Sequence, residues 1–351
     1  MQKNKKFITI IWWYHKQIFS FEKEQNYHML PIEVMKEEGY TCEIFAIDSQ
    51  VQIEKDPNFI EWTKIIYYKN IMQYFHYLWK NRENIIYSNS LTLKTLFVGV
   101  LGKNTVFMAH DQVLPLKSKA IKRQVVTFFY SFFSLVRVIN SEEKEVLQEL
   151  GITSYYLPLS ISRSFFKKAI SEREGGFFVW NLYEDKNPEF LIKTCKILKN
   201  KWVQCTIRIA GEDRYNKNGK SFREVIKEND LQDFFQILWF VPHEKLVENL
   251  QESLFFVNTS LSEWQCLTAY EAALAWNILC LQEIMAFPSV FKENALYHKQ
   301  PSDLAENILT IYKDKEAFSI KVQKNQDMIL ERYNFQENKK GIKKMFLSLN
   351  N

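Results

Sequence analysis

The stretch "LFFVNTSLSEWQCLTAYEAALAWNILCLQ", residues 254–282, holds one complete strand–helix–strand unit. Residues 254–260 and 278–282 are short runs rich in apolar residues, and 267–276 has the small and apolar composition of a buried helix. A strand, a helix and a second strand in so few residues read as a parallel crossover. Within it, Glu263 and Glu271 have seven residues between them. Eight positions is a little over two helical turns, so the two carboxylates cannot stack as i,i+4 partners. One stands at the helix mouth and the other two turns inside, both beside small residues.

The same alternation extends over most of the chain. Residues 7–14, 41–47, 64–69, 84–90, 105–111, 135–141 and 154–160 read as strands, with amphipathic segments such as 29–38, 91–101 and 142–150 between them. "SEREGG" (171–176) then brings polarity and a Gly-Gly pair, and is expected to link two domains. The alternation restarts with strands at 177–182, 205–211, 235–241, 254–260 and 278–282 and helices at 188–199, 220–229, 243–252 and 267–276. The expected fold is α/β: two Rossmann-like, doubly wound domains facing across a cleft. Residues 1–170 form the first domain, 171–335 the second, and a last helix at 336–351 is expected to pack back on the first.

Composition narrows the function. At 351 residues the chain exceeds one ordinary core, and 46% hydrophobic with 25% charged residues is a globular balance. The longest apolar run, 125–139, is interrupted by Arg137 and too short to span a bilayer. "MQKNKKFITIIWWYHKQ" lacks a small-residue cleavage site and reads as a first strand rather than a signal peptide. Five cysteines, scattered without metal-ligand spacing, fit a reducing cytosol and core packing. Nine glycines are too few for a glycine-rich phosphate loop. A net charge of +5 suits an anionic small molecule or a membrane surface and gives no case for nucleic acid.

In doubly wound sheets, ligands bind outside the carboxyl ends of the strands, where helix N-termini point. Glu263 lies there, and the amides of residues 264–267 are expected to open the helix. Free N–H groups suit a phosphate or sugar hydroxyls. Glu263 can accept from a sugar and Glu271 from a ribose diol, so the pair reads as two grips on one nucleotide-sugar.

These residues carry a resemblance. "SEWQCLTAYEAALAWNILCL" (262–281) resembles the donor-site signature of retaining GT-B glycosyltransferases of the family 4 type: Glu, seven residues, Glu-Ala, then small residues and a buried strand. "WNLYEDKNPEFLIKTCKIL" (180–198) is similar to the element opening that family's C-terminal domain, and "IRIAGED" (207–213) to its strand ending in a glycine turn, here Gly211. "FMAHD" (107–111) is similar to the N-domain strand ending in a functional histidine, and "VINSEEKEVLQELGI" with "YYLPLSISRSFF" to the last N-domain elements.

The resemblance implies transfer of a sugar from a nucleotide-sugar to a glycan or lipid-linked acceptor, with retention of configuration and without metal; the chain has no Asp-x-Asp. No cofactor is implied beyond the nucleotide-sugar as co-substrate. It assigns Lys186 to the leaving diphosphate, Glu263 to the transferred sugar and Glu271 to the ribose. The amides of Gln265, Cys266 and Leu267, with Thr268 beside them, would meet sugar or phosphate, and His110 would stand beside the sugar from the other domain. Such a transition state is oxocarbenium-like with a departing diphosphate, so cations and helix N-termini supply the stabilisation.

Departures are equally specific. Asn181 stands where the family carries an arginine, and glycines are replaced at Trp180, Trp239, Trp264, Cys266, Trp276 and Ala295. Arg214, after the "AGED" turn, is expected to supply the missing charge ahead of Arg208, whose alternative is an ion pair with a helix carboxylate. Residues 117–136, with Lys117, Lys119, Lys122 and Arg123 before a Phe-rich helix, are expected either to touch an anionic membrane or to pack on the sheet, or both on different faces. The expected location is the cytoplasm, at the inner face of the membrane. The alternative reading is a degenerate, non-catalytic GT-B subunit that binds a glycan or protein.

Overall fold

The computed structural model describes residues 5–11, 29–47, 64–88, 93–109, 120–161, 169–179, 182, 184–216, 218–263, 265–284 and 286–350. His110, Lys117, Lys119, Trp180, Asn181 and Trp264 lie outside them. The chain divides into two compact units, residues 1–162 with 335–351, and residues 163–334.

The first unit has, among the described residues, a seven-stranded sheet. Its strands are β1 (Lys6–Ile11), β2 (Thr41–Ile47), β3 (Lys64–Tyr68), β4 (Ile85–Ser88), β5 (Asn104–Met108), β6 (Leu135–Val138) and β7 (Ser154–Tyr156), ordered β3-β2-β1-β4-β5-β6-β7. Every pairing is parallel. Phe7, Ile8, Thr9 and Ile10 are all buried, so both faces of β1 are covered, and that explains its unbroken apolar run. Helices α1 (Met29–Glu37), α2 (Ile71–Lys80), α3 (Leu93–Leu101), α4 (Ala120–Tyr130) and α5 (Ser141–Glu149) supply the cover. On α4, Phe129 and Tyr130 are buried against Phe107 of β5, while Val125 and Phe128 are 62% and 61% exposed. One face of that helix packs on the sheet and another meets solvent.

The second unit repeats the plan with β8 (Gly176–Val179), β9 (Ile207–Ala210), β10 (Phe235–Trp239), β11 (Phe255–Asn258), β12 (Ile278–Gln282) and β13 (Leu296–His298), in the order β10-β9-β8-β11-β12-β13, all parallel. Helices α6 (Pro188–Asn200), α7 (Phe222–Glu228), α8 (His243–Glu252), α9 (Leu267–Leu274), α10 (Ala286–Phe291), α11 (Pro301–Lys313) and α12 (Ser319–Arg332) accompany them. The three residues of β13 are too few for a pattern to register, and the sequence reading passes over them. All five cysteines are buried thiols, and burial pushes those of Cys42 and Cys205 up to about 12. They are core residues. The last helix, α13 (Phe335–Leu347), belongs to the first unit, where Phe346 packs edge-on against Phe7 at 4.9 Å.

"SEREGG" does not act as a loose linker. Ile170–Glu172 form a 3-10 turn, Arg173 is fully buried, and Gly176 is already in β8. Gly175 holds φ +66, and its carbonyl accepts from the amides of Leu254 and Phe255. The Gly-Gly pair thus seats the first strand of the second sheet rather than a hinge.

Three tryptophans take a backbone conformation that favours glycine: Trp202 (φ +57), Trp239 (φ +61) and Trp276 (φ +66). Trp239 and Trp276 are two of the positions where the resemblance calls for glycine. The backbone there is one that suits glycine, and such a conformation costs a bulky residue about 1–3 kcal/mol.

A methyl group at Gly175 would lie 2.5 Å from the Thr206 carbonyl oxygen, in addition to the positive φ. Gly175→Ala is therefore expected to destabilise the second unit by about 2–4 kcal/mol, read from urea unfolding. An unchanged midpoint would contradict this account of β8.

Candidate functional site

Strand order reverses between β8 and β11, which are neighbours in the sheet although about eighty residues apart. From β8 the chain winds outward through β9 to β10; from β11 it winds the other way through β12 to β13. At such a switch point the loops leaving adjacent strands part, and a crevice opens at their carboxyl ends. Lys186 lies in the 3-10 turn Glu184–Lys186 that follows β8, and Glu263 in the loop that follows β11. The fold therefore brings the two to one place.

They meet directly. Lys186 Nζ donates to Glu263 Oε1 at 2.7 Å, and each residue is only 7% exposed. Two buried charges require more than each other, because desolvation costs several kcal/mol per ion. Ser260 Oγ supplies a donor to the same carboxylate oxygen at 2.6 Å and Asn258 Nδ2 a longer one at 3.4 Å. The two loops are also stitched through the backbone: Thr259 Oγ1 donates to the Lys186 carbonyl at 2.8 Å, and the Leu261 amide to that of Asp185 at 2.9 Å. The loop after β9 joins them, since the Leu182 amide donates to the Glu212 carbonyl at 2.8 Å.

Helix α9 begins at Leu267, the start read from the sequence, with Cys266 at its N-cap. Glu263 lies between the end of β11 and Cys266, outside any regular element. Cys266 has no side-chain oxygen to stopper the first amides, as Ser, Thr, Asp or Asn would at that position. The N–H groups of Leu267 and Thr268 thus open a helix whose positive end is not capped by its own N-cap side chain. Gln265 is partly exposed, whereas Cys266, Thr268 and Glu271 are buried.

Arg208 is not a spare cation. Its Nη1 lies 2.7 Å from Glu252 Oε2 of α8 and hydrogen-bonds Asn249, which is the structural alternative weighed above. Arg214 is exposed, at the carboxyl end of β9 past Gly211, and pairs with Glu212 two residues away. The Gly211 amide donates to the Trp239 carbonyl at 2.9 Å and ties this turn to β10.

Four contributors were not singled out from the sequence: Asn258, Thr259, Ser260 and His298. "NTS" at a strand end has no motif value, yet these side chains hold the ion pair and its loops. His298 ends β13, fully buried, with its ring 5.2 Å from that of Phe190. Its Nε2 is 3.0 Å from the Asn258 carbonyl oxygen, which can only accept, so Nε2 carries the proton. Burial pushes its pKa down to about 4, and the ring is neutral at pH 7. His298 thereby braces the residue that holds Glu263.

The geometry can be set beside known proteins. Residues 161–330 match the family described as "Glycosyl transferases group 1". That segment is the second unit, almost end to end. HepE from Anabaena, solved with UDP-glucose, is similar over 98% of this chain and 99% of its own, with a TM-score of 0.72 and 13% identity. Sucrose-phosphate synthase from Thermosynechococcus elongatus gives a TM-score of 0.71 at 13% identity, covering 99% of both chains. TarM gives 0.66 at 16% identity over 79% of this chain, which spans 57% of the length of TarM. No curated protein sequence matches. Both units are accounted for by these folds, and the fold is that of the GT-B glycosyltransferases.

Two tests address this site. Lys186→Met should cost about 3–5 kcal/mol by leaving Glu263 buried and unpaired, while the Lys186→Met/Glu263→Leu double variant should lose far less than the two singles together. Additive losses would mean that the two groups do not interact. For His298, folding holds the ring neutral, so its contribution is full above the unfolded pKa of 6.5 and declines as pH falls toward about 4. Wild-type stability relative to His298→Gln should fall by about 3 kcal/mol across that window, by the linkage of about 1.4 kcal/mol per pH unit. Parallel pH curves would contradict it.

Proposed function

We propose that this chain transfers a sugar from a nucleotide-sugar to a glycan or lipid-linked acceptor, with retention of configuration and without a metal. The observation that carries the reading is the buried Lys186–Glu263 pair at the switch point, beside the opening of α9. In the free protein each charge neutralises the other. A donor exchanges those partners: its diphosphate takes the Lys186 ammonium, and its sugar hydroxyls donate to the released Glu263 carboxylate. The uncapped amides at Leu267 and Thr268 add dipolar stabilisation for the charge that develops as the diphosphate leaves. Glu271 takes the ribose diol. The second unit is then the donor domain and the first the acceptor domain.

Several neighbours support the choice of donor. HepE was solved with UDP-glucose, and the pneumococcal O-GlcNAc transferase GtfA with UDP and GlcNAc. TarM of S. aureus was solved with UDP and α-GlcNAc-glycerol. A UDP-sugar is therefore the first donor to try. Arg214 is the cation proposed to replace the arginine lost at Asn181; it is exposed at a strand's carboxyl end, and its Glu212 partner is a surface contact of little worth.

The exposed Val125 and Phe128 of α4, on the helix that also carries Lys122 and Arg123, support a peripheral contact of residues 117–136 with anionic lipid at the inner face of the membrane. Among the described residues no helix is long and apolar enough to cross a membrane.

A thermal-shift series with UDP-, GDP-, ADP- and CMP-sugars tests the proposal. The true donor at a hundred times its Kd should stabilise by about 2.7 kcal/mol. Glu271→Ala should weaken nucleotide binding, and Glu263→Ala should lower turnover more than affinity. Arg214→Ala should raise the donor Kd roughly ten- to a hundredfold, as for a lost charged hydrogen bond of about 1.5–3 kcal/mol. A chain that binds none of these donors is instead the non-catalytic subunit.

A further inference from the structure

A cavity of about 590 Å³ lies at the opposite edge of the second sheet from the Lys186–Glu263 pair, and the donor reading gives it no role. It is lined by Glu174 and Gly175 before β8, by Gln204, Cys205 and Thr206 before β9, and by Arg208, Gln236 and Tyr312. Lys186 and Glu263 follow the carboxyl ends of their strands; this cavity is at the amino ends, roughly 13 Å away along a four-residue strand. Its volume falls within the roughly 300–1,000 Å³ of small-molecule sites.

Charge decides what it can hold. The Arg208 guanidinium is already matched by Glu252 at 2.7 Å, and Glu174 adds a further carboxylate. An anion such as a phosphate or nucleotide would meet a site with no surplus positive charge. The remaining polar lining consists of two carboxamides (Gln204, Gln236), the Thr206 hydroxyl, which donates to the Asp233 carbonyl at 3.3 Å and can still accept, and a phenol, Tyr312, to which the Gly175 amide donates at 3.3 Å. Carboxamides and hydroxyls donate and accept at once, which suits a neutral ligand bearing many hydroxyls.

An exposed aromatic lies close by in the chain, outside the lining itself. Trp202 is one residue removed from Gln204, so their backbones are within about 7 Å. It follows the C-terminal end of α6, at the position where a glycine ordinarily terminates a helix, and has φ +57. Its indole is 95% exposed. Packing therefore gives no reason for this residue, and the backbone conformation disfavours it by about 1 kcal/mol or more. A solvated indole whose backbone is two residues from Gln204 is within reach of the pocket, where it would offer a flat apolar platform next to hydrogen-bonding groups. A sugar ring has the matching faces, C–H groups on one side and hydroxyls around the edge.

We infer that this cavity is a second saccharide site that binds a neutral oligosaccharide away from the donor site, with Trp202 as the ring platform beside it. Such a site would hold a glycan chain without taking part in the chemistry. It stands independently of the donor assignment.

The test titrates the full chain with cellotetraose, chitotetraose and mannotetraose, following tryptophan fluorescence and heat. At least one should bind with a Kd of roughly millimolar order. Trp202→Gly, which relieves the backbone strain and so should fold at least as well, should weaken that binding tenfold or more, and Gln236→Ala likewise. UDP binding, measured on the same proteins, should match wild type. The inference is overturned if none of the three saccharides binds at ten millimolar, or if both variants bind as wild type does, since the saccharide then sits elsewhere. Loss of UDP binding in every protein, wild type included, would sink the donor reading and leave this result to be judged alone.

Discussion

The ion pair between Lys186 and Glu263 sets the terms for the rest of the second unit. A buried salt bridge is a poor source of stability, because the desolvation of both ions offsets most of their attraction. It persists only where surrounding groups hold it in place. Here those groups come from three directions: Ser260 and Asn258 on the β11 loop, Thr259 across to the β8 loop, and His298 from β13 onto the backbone of Asn258. The contacts of Glu263 and Thr259 with Lys186 exist only because β8 and β11 are adjacent, where the strand order reverses. The charged centre and the topology are thus one constraint seen at two scales.

The sheets were legible because parallel strands covered on both faces are unbroken apolar runs. Twelve of the thirteen strands among the described residues overlap a segment read as a strand. The exception, Leu296–His298, shows where the signal ends, since three residues carry no period. The start of the helix after β11 was legible, since the apolar and small residues begin at Leu267. The partner of Glu263 was not, because Lys186 lies 77 positions away.

Roles within the site were legible only as residue types in suggestive places. Lys186, Glu263 and Glu271 could be named, but the direct contact of the first two could not. Asn258 and Ser260 were hidden because polar residues end most strands. His298 was hidden because its function is to support a backbone carbonyl, and such a contact leaves no motif. Arg208 was half legible: a charge inside a strand demands a partner, but sequence alone could not choose between a ligand and Glu252. The tryptophans at positions 239 and 276 show the limit most plainly. Their backbone conformation is one usually signalled by glycine, and a tryptophan gives no such signal.

The return of the last helix bears on the order in which the chain can acquire its structure. Residues 335–347 pack within the first unit, where Phe346 lies against Phe7 and Tyr87, and Gly341 allows the close approach of Leu157. The second unit, Arg163–Asn334, is in effect an insertion between β7 and that helix. During synthesis the first unit therefore waits, with an apolar strip of β1 and β4 uncovered, while those 172 residues are made. At ordinary elongation rates the delay is roughly ten to thirty-five seconds. The nascent first unit is thus open to chaperones for that interval, and the second unit can fold to completion before its older neighbour does.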